Sequence, residues 1–136
     1  MKNPCRYPSF WVGLGGALGA VSRYGAGRAF ADLGHAGSGF PWQTFVVNVG
    51  GAFFLGWILA HAESGARGGD WLRCFAGIGF CGAFTTFSSV NLEMLEMMRS
   101  HDAPLAAFYF FSSFACGIAV AALGAMLGMK KRVPRA

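Results

Sequence analysis

Charge is what this sequence has least of. Asp, Glu, Lys and Arg together make up 12% of 136 residues, against 54% apolar residues and a mean hydropathy of +0.45. Soluble domains carry roughly 25% charged residues, so a water-soluble fold is excluded and the chain reads as an integral membrane protein. Acids are scarcer still: six in all, and none between Met1 and Ala31. That gap argues against a small multidrug-type exchanger, which needs a titratable first-span carboxylate to couple protons to a cation. The four cysteines, Cys5, Cys74, Cys81 and Cys116, form no CxxC pair, leaving metal and redox chemistry without a motif. His35, His61 and His101 fall in separate loops and make no catalytic set, so an enzyme is not expected. The N-terminal apolar run lacks a convincing cleavage site and reads as a retained first span.

What is present is enough apolar length for four crossings. A helix needs about 20 residues to cross a hydrocarbon core of about 30 Å. Residues 9–29, 43–60, 72–98 and 104–129 meet that length, as one membrane domain over residues 1–136. The expected fold is all-α, with four transmembrane helices and the third broken mid-membrane. A four-helix subunit this small hardly encloses a water path, so an oligomer is expected. The basic residues mostly flank the spans, which is headgroup and topology chemistry rather than nucleic-acid binding.

The densest polar content inside an apolar segment is Gly77–Asn91, GIGFCGAFTTFSSVN. A broken helix survives in lipid only against protein or a wet cavity, and Gly, Ser and Thr also let helices pack closely. Pathway and packing both fit this stretch. Three other features allow two readings each. Gly15 and Gly19 have GxxxG spacing, a close-packing face. Arg23, near the first span's end, is either a snorkelling interface residue or a fixed positive charge at the mouth of an anion path. Asn48, in a charge-free second span with Thr44, is either interhelical glue or a ligand to something that passes. The fourth span carries Tyr109, Ser112 and Ser113, then a small-residue seam with Gly124 and Gly128.

Three runs carry a family likeness: GALGAVSRY (Gly16–Tyr24), TFVVNVGGAFFLG (Thr44–Gly56) and GFCGAFTTFSS (Gly79–Ser89). Together they resemble the CrcB/Fluc fluoride channels, in order and at similar spacing across all four spans. The resemblance implies an antiparallel, dual-topology homodimer in a bacterial plasma (inner) membrane, with two fluoride pores along the subunit interface. It implies a Na⁺ ion at the dimer centre, held by the backbone carbonyls of Gly82 and Thr85. Asn48, Phe87, Ser88, Ser89, Val90, Glu93, Tyr109 and Ser113 would line the fluoride pore, and Arg23 would make its vestibule positive. The function implied is export of cytoplasmic fluoride down its electrochemical gradient, protecting the cell from fluoride toxicity.

The sequence departs from the family pattern at Val90, where the usual TTFSTF run has a second Phe, and at Gly117, where some members carry a pore-facing Ser. A slower pore, a pore using another aromatic, or a subunit of a heterodimeric channel would each accommodate Val90. The termini and second loop hold eight Lys/Arg against Arg28 and Arg99 on the other side, which by the positive-inside rule favours cytoplasmic termini. The family pattern is preferred to that bias, because four of the eight lie in one tail. A non-transporting assembly subunit, with Gly and Ser serving packing alone, is the remaining alternative.

Overall fold

The computed structural model describes residues 7–32, 39–63 and 68–129, and all its regular elements there are helical. The basic flanks Lys2, Arg6, Arg67 and Lys130 to Arg135, together with Cys5 and the loop holding His35, lie outside the described residues. Helix α1 spans Pro8–Asp32 and α2 spans Trp42–Glu63. The third run comprises α3 (Gly69–Leu72), a nine-residue π-helix (Arg73–Cys81), α4 (Gly82–Phe84) and α5 (Phe87–Arg99). Helix α6 spans Ala103–Gly128. Three of these runs are long and apolar enough to cross a membrane: Trp42–Glu63, Gly69–Arg99 and Ala103–Gly128. Helix α1 has the length, at 25 residues, but is not among the three.

The third helix is broken, more narrowly than the glycines of Gly77–Asn91 suggest. Gly77 to Cys81 remain helical, with the wider turns of a π-helix. The chain becomes extended only at Thr85 (φ −77°, ψ 158°) and Thr86 (φ −148°, ψ 120°). Thr86 then caps α5, its side chain accepting from Ser89 N; this satisfies one of the donors every helix start leaves free. Helix α6 begins in the same way, with the Asp102 side chain accepting from Leu105 N and proline in the first turn, where a missing N–H costs nothing.

The small-residue seams are packing positions, and of the third-span glycines Gly79 joins them. A side chain at Gly15 would run into the carbonyl of Phe75, one at Gly19 into that of Phe80, and one at Gly79 would stand 2.6 Å from Val12 O. Helix α1 therefore lies backbone to backbone against the π-helix. The α2–α6 seam is built likewise: Gly56 meets Ala121, while Gly124 and Gly128 meet the carbonyls of Phe53 and Trp57. Lipid tails are as apolar as leucine, so contact between such helices rests on close packing. The buried core is small, with Val90, Met97, Ala106 and Tyr109 as one cluster. Much apolar surface stays exposed, including Phe111, Phe114, Ile118 and Met126 along α6. A helix apolar all round belongs in a protein core or in lipid.

Candidate functional site

The break is held open by one side chain. Asn48 Nδ2 donates to Thr86 O at 2.9 Å, and Thr86 N donates to Asn48 Oδ1 at 2.8 Å. Because a backbone N–H only donates and a carbonyl only accepts, this pair fixes which way the carboxamide points. It also diverts a helical donor. In a continuous α-helix Thr86 N would serve Gly82 O, and Ser89 N would serve Thr85 O; here they serve Asn48 Oδ1 and Thr86 Oγ1. Gly82 and Thr85 are thus among the four carbonyls, Gly82 to Thr85, that the break leaves without helical partners. Thr85 O faces Arg23, whose Nη1 donates to it at 3.4 Å. Gly82 is exposed, with open space where a side chain would be. Freed carbonyls are the donor set a hard cation takes.

Around the break the hydroxyls gather. Thr86 Oγ1 donates to Ser89 Oγ at 3.0 Å and lies 3.2 Å from Ser88 Oγ. Ser89 accepts there, so its own proton is kept for another acceptor. These groups face a cavity of about 430 Å³ together with Arg23, Arg28, Gln43 and Thr44, and none of its described lining residues is acidic. The site is positive and rich in donors.

One turn of α2 away lies a second polar group. Thr44 Oγ1 donates to Glu93 Oε1 at 2.5 Å and the Tyr109 hydroxyl donates to Glu93 Oε2 at 2.7 Å. A phenol has one proton, so Tyr109 spends it on Glu93 and offers nothing further as a donor in this arrangement. Glu93 and Glu96 border a separate cleft of about 510 Å³ near Phe40 and Trp42, and Gln43 lines both cavities. Basic and acidic chambers thus meet at one residue.

The residues expected at the site fall into four places. Arg23, Ser88 and Ser89 line the basic cavity, with Asn48 joined to it through Thr86. Glu93 and Tyr109 are bonded together rather than standing separately. Phe87 is 71% exposed, whereas Val90, three residues later, is 6% exposed and belongs to the core cluster. Ser113, one turn beyond Tyr109, has a buried hydroxyl with no hydrogen-bond partner among the described residues. Thr44 and Thr86 are neighbours of the site to which the sequence assigns no role of their own. The i, i+4 spacing of Thr44 and Asn48 on one helix face was the available signal.

Residues 10–125 match the family described as CrcB-like protein, Camphor Resistance (CrcB). The chain is 42% identical over 117 residues to a Fluoride-specific ion channel FluC of Thermus thermophilus, covering 86% of this chain and 91% of that one. It is 37% identical to Fluoride-specific ion channel FluC 1 of Brucella melitensis, covering 86% and 95%, and 36% identical to FluC 2 of Brucella suis, covering 86% and 91%.

Proposed function

The chain belongs to the CrcB family, and from that premise we propose that it is a fluoride-selective channel of a bacterial plasma membrane. It lets cytoplasmic fluoride leave down its electrochemical gradient and so protects the cell. It is a multi-pass membrane protein rather than an enzyme. The observation that carries the reading is the Asn48–Thr86 clamp, which sets a row of hydroxyl donors beside a positive cavity with no acid among its described lining residues.

Fluoride is small and strongly hydrated, so a pore must replace its water with donors at short range. Arg23 and Arg28 lower the cost of bringing an anion into the cavity, since charges interact more strongly where the dielectric is low. Ser88 and Ser89 then supply hydroxyl protons, and Asn48 retains the second hydrogen of its Nδ2, only one being needed for Thr86 O. Phe87 supplies a ring edge, the positive part of the aromatic quadrupole. The Ser113 hydroxyl, without a partner among the described residues, is a further donor.

In this reading four helices cross the membrane, α1 included, and the active form is an antiparallel, dual-topology dimer. The exposure of Phe87 and the open space at Gly82 suit a surface covered by a second copy. Gly82 O and Thr85 O would hold Na⁺ there; when bound, the ion supplies positive charge that ties carbonyls of the two copies together.

A second reading has one observation in its favour. Val90 stands where the family pattern has Phe, and it is buried against Tyr109 and Ala106, so this subunit would need a different partner chain to complete an aromatic wall. Efflux from liposomes containing this chain alone separates the two. Passive fluoride efflux that requires Na⁺ and excludes chloride supports the homodimeric channel. Absence of flux unless a second chain is added supports the heterodimer, and flux that needs a proton gradient overturns both.

A further inference from the structure

The basic cavity is larger than a halide needs, and one of its two guanidiniums has no partner among the described residues. Ala20, Arg23, Tyr24, Gly27 and Arg28 all line it, at the i, i+3, i+4, i+7, i+8 spacing of one helix face. Arg23 spends one of its five N–H donors on Thr85 O; Arg28 has neither hydrogen bond nor ion pair among the described residues. Gly27 matters because a side chain there would come within 2.6 Å of Gln43 Nε2. Its absence lets the Gln43 carboxamide, a neutral donor, close against the arginine stripe.

The volume, about 430 Å³, is many times the roughly 10–15 Å³ of cavity that holds one water. A halide is a single-point acceptor. The planar guanidinium fork, by contrast, matches ligands that present two oxygens at once. Two such forks with no carboxylate among the described lining residues, edged by Ser88 and Gln43, suit a tetrahedral oxyanion better than a bare halide.

We propose that this cavity binds a phosphate group, gripped by Arg23 and Arg28 with Gln43 and Ser88 as neutral donors. The group is either inorganic phosphate or the phosphate of a lipid headgroup. Seated there it lies over the Ser88 and Ser89 hydroxyls and competes with fluoride for the mouth of the track. That competition rests on the channel reading; the binding does not.

The test uses the full chain purified in zwitterionic detergent, with binding of inorganic phosphate followed by calorimetry. Saturable binding is expected, weakened roughly tenfold or more by Arg28→Gln, in line with loss of charged hydrogen bonds. Arg28→Lys keeps the charge without the fork and recovers only part of it. A parallel arm places the protein in nanodiscs of phosphatidic acid or phosphatidylcholine and reads retained lipid by native mass spectrometry. Retention of phosphatidic acid by the parent chain, lost in Arg28→Gln, with no binding of inorganic phosphate, identifies the headgroup as the source. No binding in either arm, or binding indifferent to Arg28→Gln, overturns the proposal. Neither readout involves fluoride flux, so failure of the channel reading would leave it standing.

Discussion

Asn48 and Thr86 bond to each other twice, amide to carbonyl and amide hydrogen to amide oxygen, across two different helices. A side chain here does what a neighbouring strand would do, and it satisfies both backbone groups of an extended residue inside the third span. Asn48→Ala leaves the buried Thr86 N–H without its partner, while Thr86 O, as the carbonyl of the capping residue, keeps the first intrahelical bond of α5. The substitution is expected to cost about 1–3 kcal/mol for the group left unsatisfied and to abolish fluoride efflux. Thermal unfolding in detergent beside liposome efflux measures both. An unchanged midpoint would move the support of the break elsewhere.

Glu93 gathers two donors from two helices, Thr44 on α2 and Tyr109 on α6. Tyr109→Phe is expected to destabilise by about 1.5–3 kcal/mol, the usual worth of a hydrogen bond to a charged group. Combined with Thr44→Val it should depart from additivity by about 0.5–3 kcal/mol, as groups sharing one partner do. A double-mutant cycle on unfolding free energies reads the coupling; simple additivity would mean that the two bonds are independent.

Phe87 and Val90 should respond oppositely to substitution. Phe87→Ala removes an exposed ring and is expected to reduce flux with little change in stability. Val90→Phe forces a larger side chain into the cluster with Tyr109, at about 1–3 kcal/mol, and is not expected to raise flux. A gain of flux in Val90→Phe, measured in the same liposomes, would show that the position opens to the pore after all.

The glycines divide into two sets. Gly19→Ala and Gly124→Ala drive a methyl into the carbonyls of Phe80 and Phe53. Both should lower yield and melting temperature, by the usual overpacking cost of about 1–3 kcal/mol. Gly50→Ala and Gly117→Ala meet nothing within 4 Å and should leave the subunit as stable as before. Thermal unfolding of all four decides, and equal effects would contradict the packing described.

Replacing Na⁺ with a bulky organic cation should lower both the flux and the melting temperature of the assembled channel. Such a cation is too large to sit between the carbonyls of Gly82 and Thr85. Indifference of both readouts to the exchange would remove the cation from these carbonyls.

Arg23, Asn48, Ser88 and Ser89 were legible because a polar group inside an apolar run is costly and so stands out. The seams at Gly15/Gly19 and Gly124/Gly128 were legible from spacing. Thr44 and Thr86 were not, since threonine in a helix commonly bonds its own backbone and attracts no notice alone. Gly77, Gly79 and Gly82 all look like breakers in sequence, whereas the chain leaves helical winding only at Thr85 and Thr86. Nothing in a run of Ala, Gly and Phe distinguishes α from π winding. The burial of Val90 depends on which face α5 turns to α6, and that is set after the break, where periodicity restarts.

The π-helix from Arg73 to Cys81 has a further bearing on the whole chain. With bonds that reach one residue farther than in an α-helix, each residue there advances the winding by a smaller angle. The segment therefore acts as a phase-setter: it decides the compass direction in which Gly82 to Phe84 emerge, and with them the carbonyls at the break. Deleting a single residue from it would leave every side chain of the site in place in the sequence and aim the whole constellation at the wrong neighbour.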